Sequence, residues 1–306
     1  MLRLQDILRV AIALVPAILL AAPDSGVVPL TPAALVRKTV EHEATASQSS
    51  SVNHMFVSRK QTAHGSQTRL YVETAQAMAG MTIAYDDKPL SADQQKSEQD
   101  RLESLIHDPA ELERKRAKEK DDAERVRRIV RAMPDAFLFE NDGTEPGRPG
   151  LGKPGEPLVR LKFRPNPKYE PPTRVEEILT GMEGVLLIDP KQFRIARIHG
   201  TLFREVGFGW GILGHLDKGG RFFVEQQDLG DGTWDASRMT LRFTGKILLF
   251  KHLDIQSDEV YRDYRQVPSN LTFAQGVEML KKQEPTEARN SAASQSPRQS
   301  VGPTSK

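Results

Sequence analysis

The stretch "GRFFVEQQDLGDGTWDASRMTLRFTG", Gly220 to Gly245, decides the fold. Phe222, Val224 and Gln226 alternate with Phe223, Glu225 and Gln227, a period of two that sends successive side chains to opposite faces of a strand and leaves each face partly wet. "DGT", Asp231 to Thr233, is a turn signal, and a second strand follows from Thr233 to Gly245. The stretch therefore predicts an antiparallel pair.

The same pattern extends in both directions. "DAFLFEN" (Asp135 to Asn141), "EPLVRLKFRP" (Glu156 to Pro165), "MEGVLLID" (Met182 to Asp189), "FRIARIHGTLF" (Phe193 to Phe203), "KILLFKHLDI" (Lys246 to Ile255) and "VYRDYRQV" (Val260 to Val267) have the spacing of consecutive antiparallel strands. "DPKQ" (Asp189 to Gln192) marks another turn. Nearer the start, "HMFVSRKQT" and "TRLYVE" predict a hairpin from about Met55 to Thr74, followed by a strand around Met81 to Tyr85.

Helices punctuate this sheet. Thr31 caps a candidate helix to His42, with Pro32 at its first position and Leu35, Val36 and Val40 on one side; "ATASQSSS" then reads as a linker. From Ser91 to Arg131 the chain is almost continuously charged, with caps at Ser91 and Asp108 and with Pro109 opening the second helix. Apolar residues cluster at Leu102, Leu105 and Ile106, at Leu112, and at Val126, Ile129, Val130 and Met133, so a helical hairpin with a solvated middle is expected. Lys118, Lys120 and Arg125 are interleaved with Asp121, Asp122 and Glu124, which cancels the field that nucleic acid would need. A short helix is expected from about Thr173 to Leu179.

The first residues place Arg3 and Arg9 before the apolar run Val10 to Leu20 and then Ala21 and Ala22, the order of a secretory signal peptide. The run is about half the length a bilayer span requires, so cleavage and a periplasmic or secreted location are expected, with an uncleaved anchor as the alternative. The expected layout is a signal peptide over 1–22, an N-terminal helix and linker over 23–54, one domain over 55–267 carrying a helical insertion at 91–133, a weak helix over 268–283 and a disordered tail over 284–306. Lysine and arginine exceed aspartate and glutamate by two among 306 residues, which leaves no global charge for a polyanion. Cysteine is absent, which removes disulfides, thiolate chemistry and the acylation site of a lipoprotein.

Several of these stretches together resemble the LolA/LolB-like superfamily of periplasmic lipoprotein carriers, in a branch with a charged helical insertion. The residues concerned are "DDKPLSADQQKSEQDRLESL", "MPDAFLFE", "LKFRPNPKYEPP", "GMEGVLLIDPKQFRIARIHGTLF", "GHLDKGGRFFVEQQDLGDGTW" and "GKILLFKHLDI" with "YRDYR", which fall between Met55 and Val267. The resemblance implies an α+β fold in which an antiparallel sheet curls into an incomplete β-barrel, with helices across the open side and an apolar cavity between them. It implies carriage of an acyl chain or lipoprotein, with no cofactor and no catalytic residues. The second reading is a closed-core envelope protein that binds a protein partner through the charged hairpin.

Leu187, Phe222, Val224, Leu241, Phe243, Leu248 and Phe250 are the candidates for positions that face the cavity or a filled core. "GFGWGILG", Gly207 to Gly214, carries Phe208 and Trp210 on a glycine-rich bend that would serve as a gate, a membrane-touching tip or a crossing packed into the core. The seven histidines fall in no metal-binding spacing. "GRPGLGKPGEP", Gly147 to Pro157, imitates a phosphate-binding loop, but Pro154 replaces the magnesium-holding hydroxyl, prolines remove backbone donors, and a strand rather than a helix follows. It reads as a long connection between strands with Lys153 in solvent. "YRDYR" is expected to set Tyr261, Asp263 and Arg265 on one strand face. No nucleophile, base and orienting acid can be assembled, so no enzyme is expected.

Overall fold

The computed structural model describes residues 30–49, 52–208, 214–247 and 251–293. The expected signal peptide, Trp210, Leu248, Phe250 and residues 294–306 lie outside them. The chain is an α+β protein. Helix α1 (Pro32–Ser49) leads into β1 (Asn53–Thr62), β2 (Gly65–Val72), β3 (Ala79–Tyr85) and the two-residue β4 (Lys88–Pro89). Helices α2 (Ala92–His107) and α3 (Pro109–Ala136) precede β5 (Phe137–Pro146) and β6 (Pro157–Pro165). The short α4 (Arg174–Glu177) and a 3-10 turn lead to β7 (Met182–Asp189) and β8 (Arg194–Leu202). Then come β9 (Val206–Phe208), β10 (Gly214–Leu216), β11 (Arg221–Asp228), β12 (Trp234–Ile247), β13 (Lys251–Val267) and α5 (Phe273–Ala293).

All the strands join one antiparallel sheet in the order β4-β3-β2-β1-β13-β12-β11-β8-β7-β6-β5, with β10 and β9 branching from β12. Directly opposed residues of an antiparallel pair share a face. One face therefore runs through Leu161, Leu186, Ile198, Val224, Met239, Glu259 and Lys60. On that face Leu35, Val36 and Val40 of α1 and Met133 of α3 pack with Leu161, Phe163, Leu186 and Leu202. The other face carries Met55, Val57, Leu70, Val72 and Met81, against Leu102 and Leu105 of α2 and Val277 and Leu280 of α5. The helices thus cover opposite faces at opposite ends of the sheet.

The sheet curls without closing. Glu119 of α3 accepts the N–H of Met78, just before β3, at 3.0 Å, and α3 runs directly into β5. From Glu119 to Phe137 is about 18 residues, or about 27 Å of helix. The nine strand-to-strand steps from β3 to β5 would measure about 43 Å in a flat sheet. The two edges are nearer than a flat sheet permits, yet they are not paired.

The charged segment is not a free hairpin. Ser91 and Gln94 form a capping box on α2, and the Asp108 carboxylate accepts from the N–H groups of Ala110 and Glu111 at the start of α3. Beyond the caps, Glu98 accepts the N–H of Thr82 (2.7 Å), Arg101 donates to the Gly80 carbonyl (2.7 Å), and Glu119 takes Met78. Charged side chains here satisfy the open edge of β3, which would otherwise invite another strand. Apolar spacing finds helices, but a polar residue bound to a strand edge has no periodicity to reveal it.

Other boundaries also move. Helix α1 continues through Ser49, across the stretch expected to be a linker, and α5 extends to Ala293, into the expected tail. The strand expected from Lys246 and the one from Val260 are one 17-residue strand, β13, while β12 continues to Ile247. Within β13, Asp263 adopts φ 61 at a register shift against β1. That bulge breaks the alternation, so Tyr264, rather than Asp263, joins Tyr261 around the Phe56 ring, at 5.0 and 6.2 Å between centroids.

The loop of the false phosphate motif has a structural role. Gly152 donates to the Gln226 carbonyl at 2.7 Å and receives Asp228 N–H at 3.3 Å, so the loop is stitched to β11. Gly152 sits at φ 61, with no room for a side chain beyond a tight contact with Leu158. This places Leu151, fully buried, against Leu158, Leu187, Ala196 and Trp234, while Lys153 is exposed. Leu151→Ala is expected to destabilise the protein by about 2–5 kcal/mol and Lys153→Ala by no more than about 0.5 kcal/mol, read from urea unfolding midpoints.

Candidate functional site

The structure divides the sequence-derived candidates between two faces. Phe222 lies opposite Leu241, Val224 lies opposite Met239, and Phe243 follows Leu241 on the same side of β12. With Leu253 and Ile255 of β13 they form an apolar strip across three adjacent strands, all half-buried except the exposed Ile255. The Phe222 ring lies over Gly200, where an added Cβ would meet it at 2.4 Å, and Phe243 lies over Gly220 in the same way. Leu187 is on the other face, sealed beneath the 147–157 loop. Phe208 belongs to β9, which pairs with β10 on either side of residues 209–213.

At one end of the sheet a cavity of about 680 Å³ opens among elements that are far apart in sequence. It is lined by His42 and Thr45 late in α1, His54 at the start of β1, Glu73 just after β2, the β7–β8 turn from Lys191 to Arg194, and the β11–β12 turn from Asp231 to Asp235. Turn chemistry builds two of its walls. Asp189 accepts the N–H groups of Lys191 and Gln192 at 2.8 and 2.9 Å, and Asp231 accepts that of Thr233 at 3.0 Å. Gln192 in turn accepts the Trp234 indole N–H at 3.0 Å, tying one turn to the other.

His54 is the centre of this arrangement, with its side chain only 4% exposed. Its Nε2 lies 2.8 Å from Asp231 Oδ2, its Nδ1 lies 3.7 Å from Glu73 Oε2, and its backbone N–H donates to Glu73 at 2.7 Å. Asp235 accepts the N–H of Ala236 at 2.6 Å and lies beside the Tyr264 hydroxyl. Of the lining cations, the exposed Lys191 meets Glu156 at 2.5 Å, while the nearly buried Arg194 meets Glu43 at 3.1 Å and keeps its Nε without a hydrogen-bond partner among the described residues.

The acids titrate differently. Burial pushes Asp231 up, but hydrogen bonds from Thr233, Gln266 and His54 outweigh it and hold the carboxyl below its usual range. Burial raises Glu73 and Asp235, and for these two the few donors do not compensate. Burial also raises Tyr264, with the charge of Asp235 adding to the effect. Neutralised or underpaired acids in a cleft are a functional signature with a physical basis.

Sequence reasoning passed over His54, Glu73, Arg194, Asp231 and Asp235. The turns "DPKQ" and "DGT" were legible, but as shape, and they carry the cavity walls. A second convergence was also invisible: Glu205, His215 and Asp217 bring one ligating atom each within 4.8 Å of one another across the β9–β10 hairpin.

No protein-family profile matches the chain, and no curated protein matches it in sequence. Among solved structures, a DUF1329 family protein from Desulfovibrio piger aligns over 82% of this chain and 100% of its own, at 10% identity and a TM-score of 0.24. That likeness is too loose to transfer a fold or a function.

The opposed shifts give a pH signature. Stability from Asp231 is present above its ordinary value of 3.8 and is lost as the pH falls. For Glu73 and Asp235 the sign reverses: the native state favours the proton, so stability is lost as the pH rises through their raised values. Glu73→Gln is therefore expected to melt a few degrees above the parent at neutral pH, with the gap closing toward pH 4.5. Asp231→Asn, which turns a donor toward His54, is expected to cost about 1.5–3 kcal/mol at neutral pH. Thermal melts across this range check both.

Proposed function

We propose that the protein is an exported, non-catalytic carrier of an acyl chain or lipoprotein in the cell envelope, built on a LolA-like incomplete barrel. The observation that carries this reading is the strip of Phe222, Val224, Met239, Leu241, Phe243, Leu253 and Ile255. It lies on one face of β11–β13; Phe222, Phe243 and Leu253 border the core under α1 and α3, and Val224, Met239, Leu241 and Ile255 continue the strip beyond it. A run of half-buried apolar side chains on a curled sheet suits a hydrocarbon chain, which needs apolar area and no directional partner. The signal-like N-terminus and the sequence resemblance support the location and the cargo. No described helix is long and apolar enough to cross a membrane.

Native mass spectrometry of the purified protein is expected to show co-purified lipid, and cis-parinaric acid is expected to gain fluorescence on binding. Leu241→Asp and Val224→Asp place a charge in the strip and are expected to weaken probe binding by about tenfold or more with the circular dichroism spectrum unchanged. A parent protein that carries no lipid and binds no probe would overturn the proposal.

A further inference from the structure

The cavity around His54 carries three acids that its own cations offset only in part. Its walls hold Glu73, Asp231 and Asp235, and its lining cations Lys191 and Arg194 face Glu156 and Glu43, outside the cavity. The last turns of α1 add to this, since a helix C-terminus carries partial negative charge and α1 has no basic residue in its last turn. His54 is the cationic partner nearest Asp231 and Glu73, and Asp231 takes most of it, with both oxygens of that carboxylate already occupied by Thr233, His54 and Gln266; Asp235 feels His54 and Arg194 only through space. Glu73 uses Oε2 toward His54, and its Oε1 has no hydrogen-bond partner among the described residues. Burial accordingly leaves Glu73 and Asp235 in want of positive charge.

We propose that this cavity binds a small organic molecule through a cationic nitrogen, an ammonium or amidinium group held by Glu73 and Asp235. A metal ion is the weaker fit. Among the described residues the one group of three converging metal-capable atoms is at Glu205, His215 and Asp217, not here. A volume of about 680 Å³ is also that of a site for a small molecule rather than a bare ion. Trp234 and Phe193 add aromatic edge to the wall, one face of each ring being taken by Arg194 and Lys38. The site is separate from the apolar strip, so its failure and that of the carrier proposal are independent.

Isothermal titration of the full chain with tyramine and with agmatine tests the proposal, with 4-ethylphenol as the uncharged counterpart of tyramine. Saturable binding of the cations is expected, at least about tenfold tighter than 4-ethylphenol, and it is expected to fall by about tenfold or more in Glu73→Gln and in Asp235→Asn. Circular dichroism and cis-parinaric acid binding of the two variants, both expected unchanged, show that the loss is local. Three results would each overturn the proposal: no saturable binding of either cation at millimolar concentration, equal affinity for 4-ethylphenol, or parent-like affinity in both variants. Tighter binding of zinc or magnesium that the same substitutions abolish would also overturn it, in favour of a metal site.

Discussion

The structure depends on β13 being paired along both edges. Its earlier part pairs with β12, from Lys251 against Ile247 to Val260 against Arg238, and its later part pairs with β1, from Ser257 against Thr62 to Val267 against Asn53. Over Ser257 to Val260 it is bonded on both sides. That single strand joins the N-terminal strands β1–β4 to the remainder of the sheet across some two hundred residues of intervening chain. Such a contact is costly to close, and it forms only because the hydrophobic faces on both sides then align.

Continuity through β13 explains why the protein has two helix-covered cores instead of one, beside the smaller cluster sealed by the 147–157 loop. A curled sheet must have both faces covered where they are apolar, and α1 and α5 cross from their neighbours in the chain to distant strands to do so. So α1 and the end of α3 cover β5–β8 on one face, and α2 and α5 cover β1–β3 on the other. The central strands lie between these two coverings and carry the apolar strip, whereas the cavity forms at the sheet end where α1 meets the turns. With no cysteine, no disulfide reinforces this arrangement.

Much of the fold was legible locally. The period-two stretches from Phe137 onward, the caps at Ser91 and Asp108, and the turns at Asp189 and Asp231 each follow from a few neighbouring residues. What failed was whatever depended on a distant partner. Helix α1 runs on through Ser49, although "ATASQS" by itself reads as a linker. Asp263 leaves the strand face because the β1 register requires a bulge there. Glu98, Arg101 and Glu119 looked like solvated charges because a strand edge leaves no mark in the sequence that binds it.

By itself the sequence determined the class of fold, the alternation that set Phe222, Val224, Leu241 and Phe243 on one side, and the exclusion of a nucleotide loop. These are short-range matters, set by side-chain period and by what proline and glycine do to their own backbone. Only the tertiary structure decided that Leu187 faces the opposite side from those four, and that His54, Glu73, Asp231 and Asp235 share one cavity. The physical reason is that a long antiparallel sheet brings strand ends and turns together by register. Residues separated by 177 positions, such as His54 and Asp231, meet at 2.8 Å with nothing near either one in sequence to announce the other.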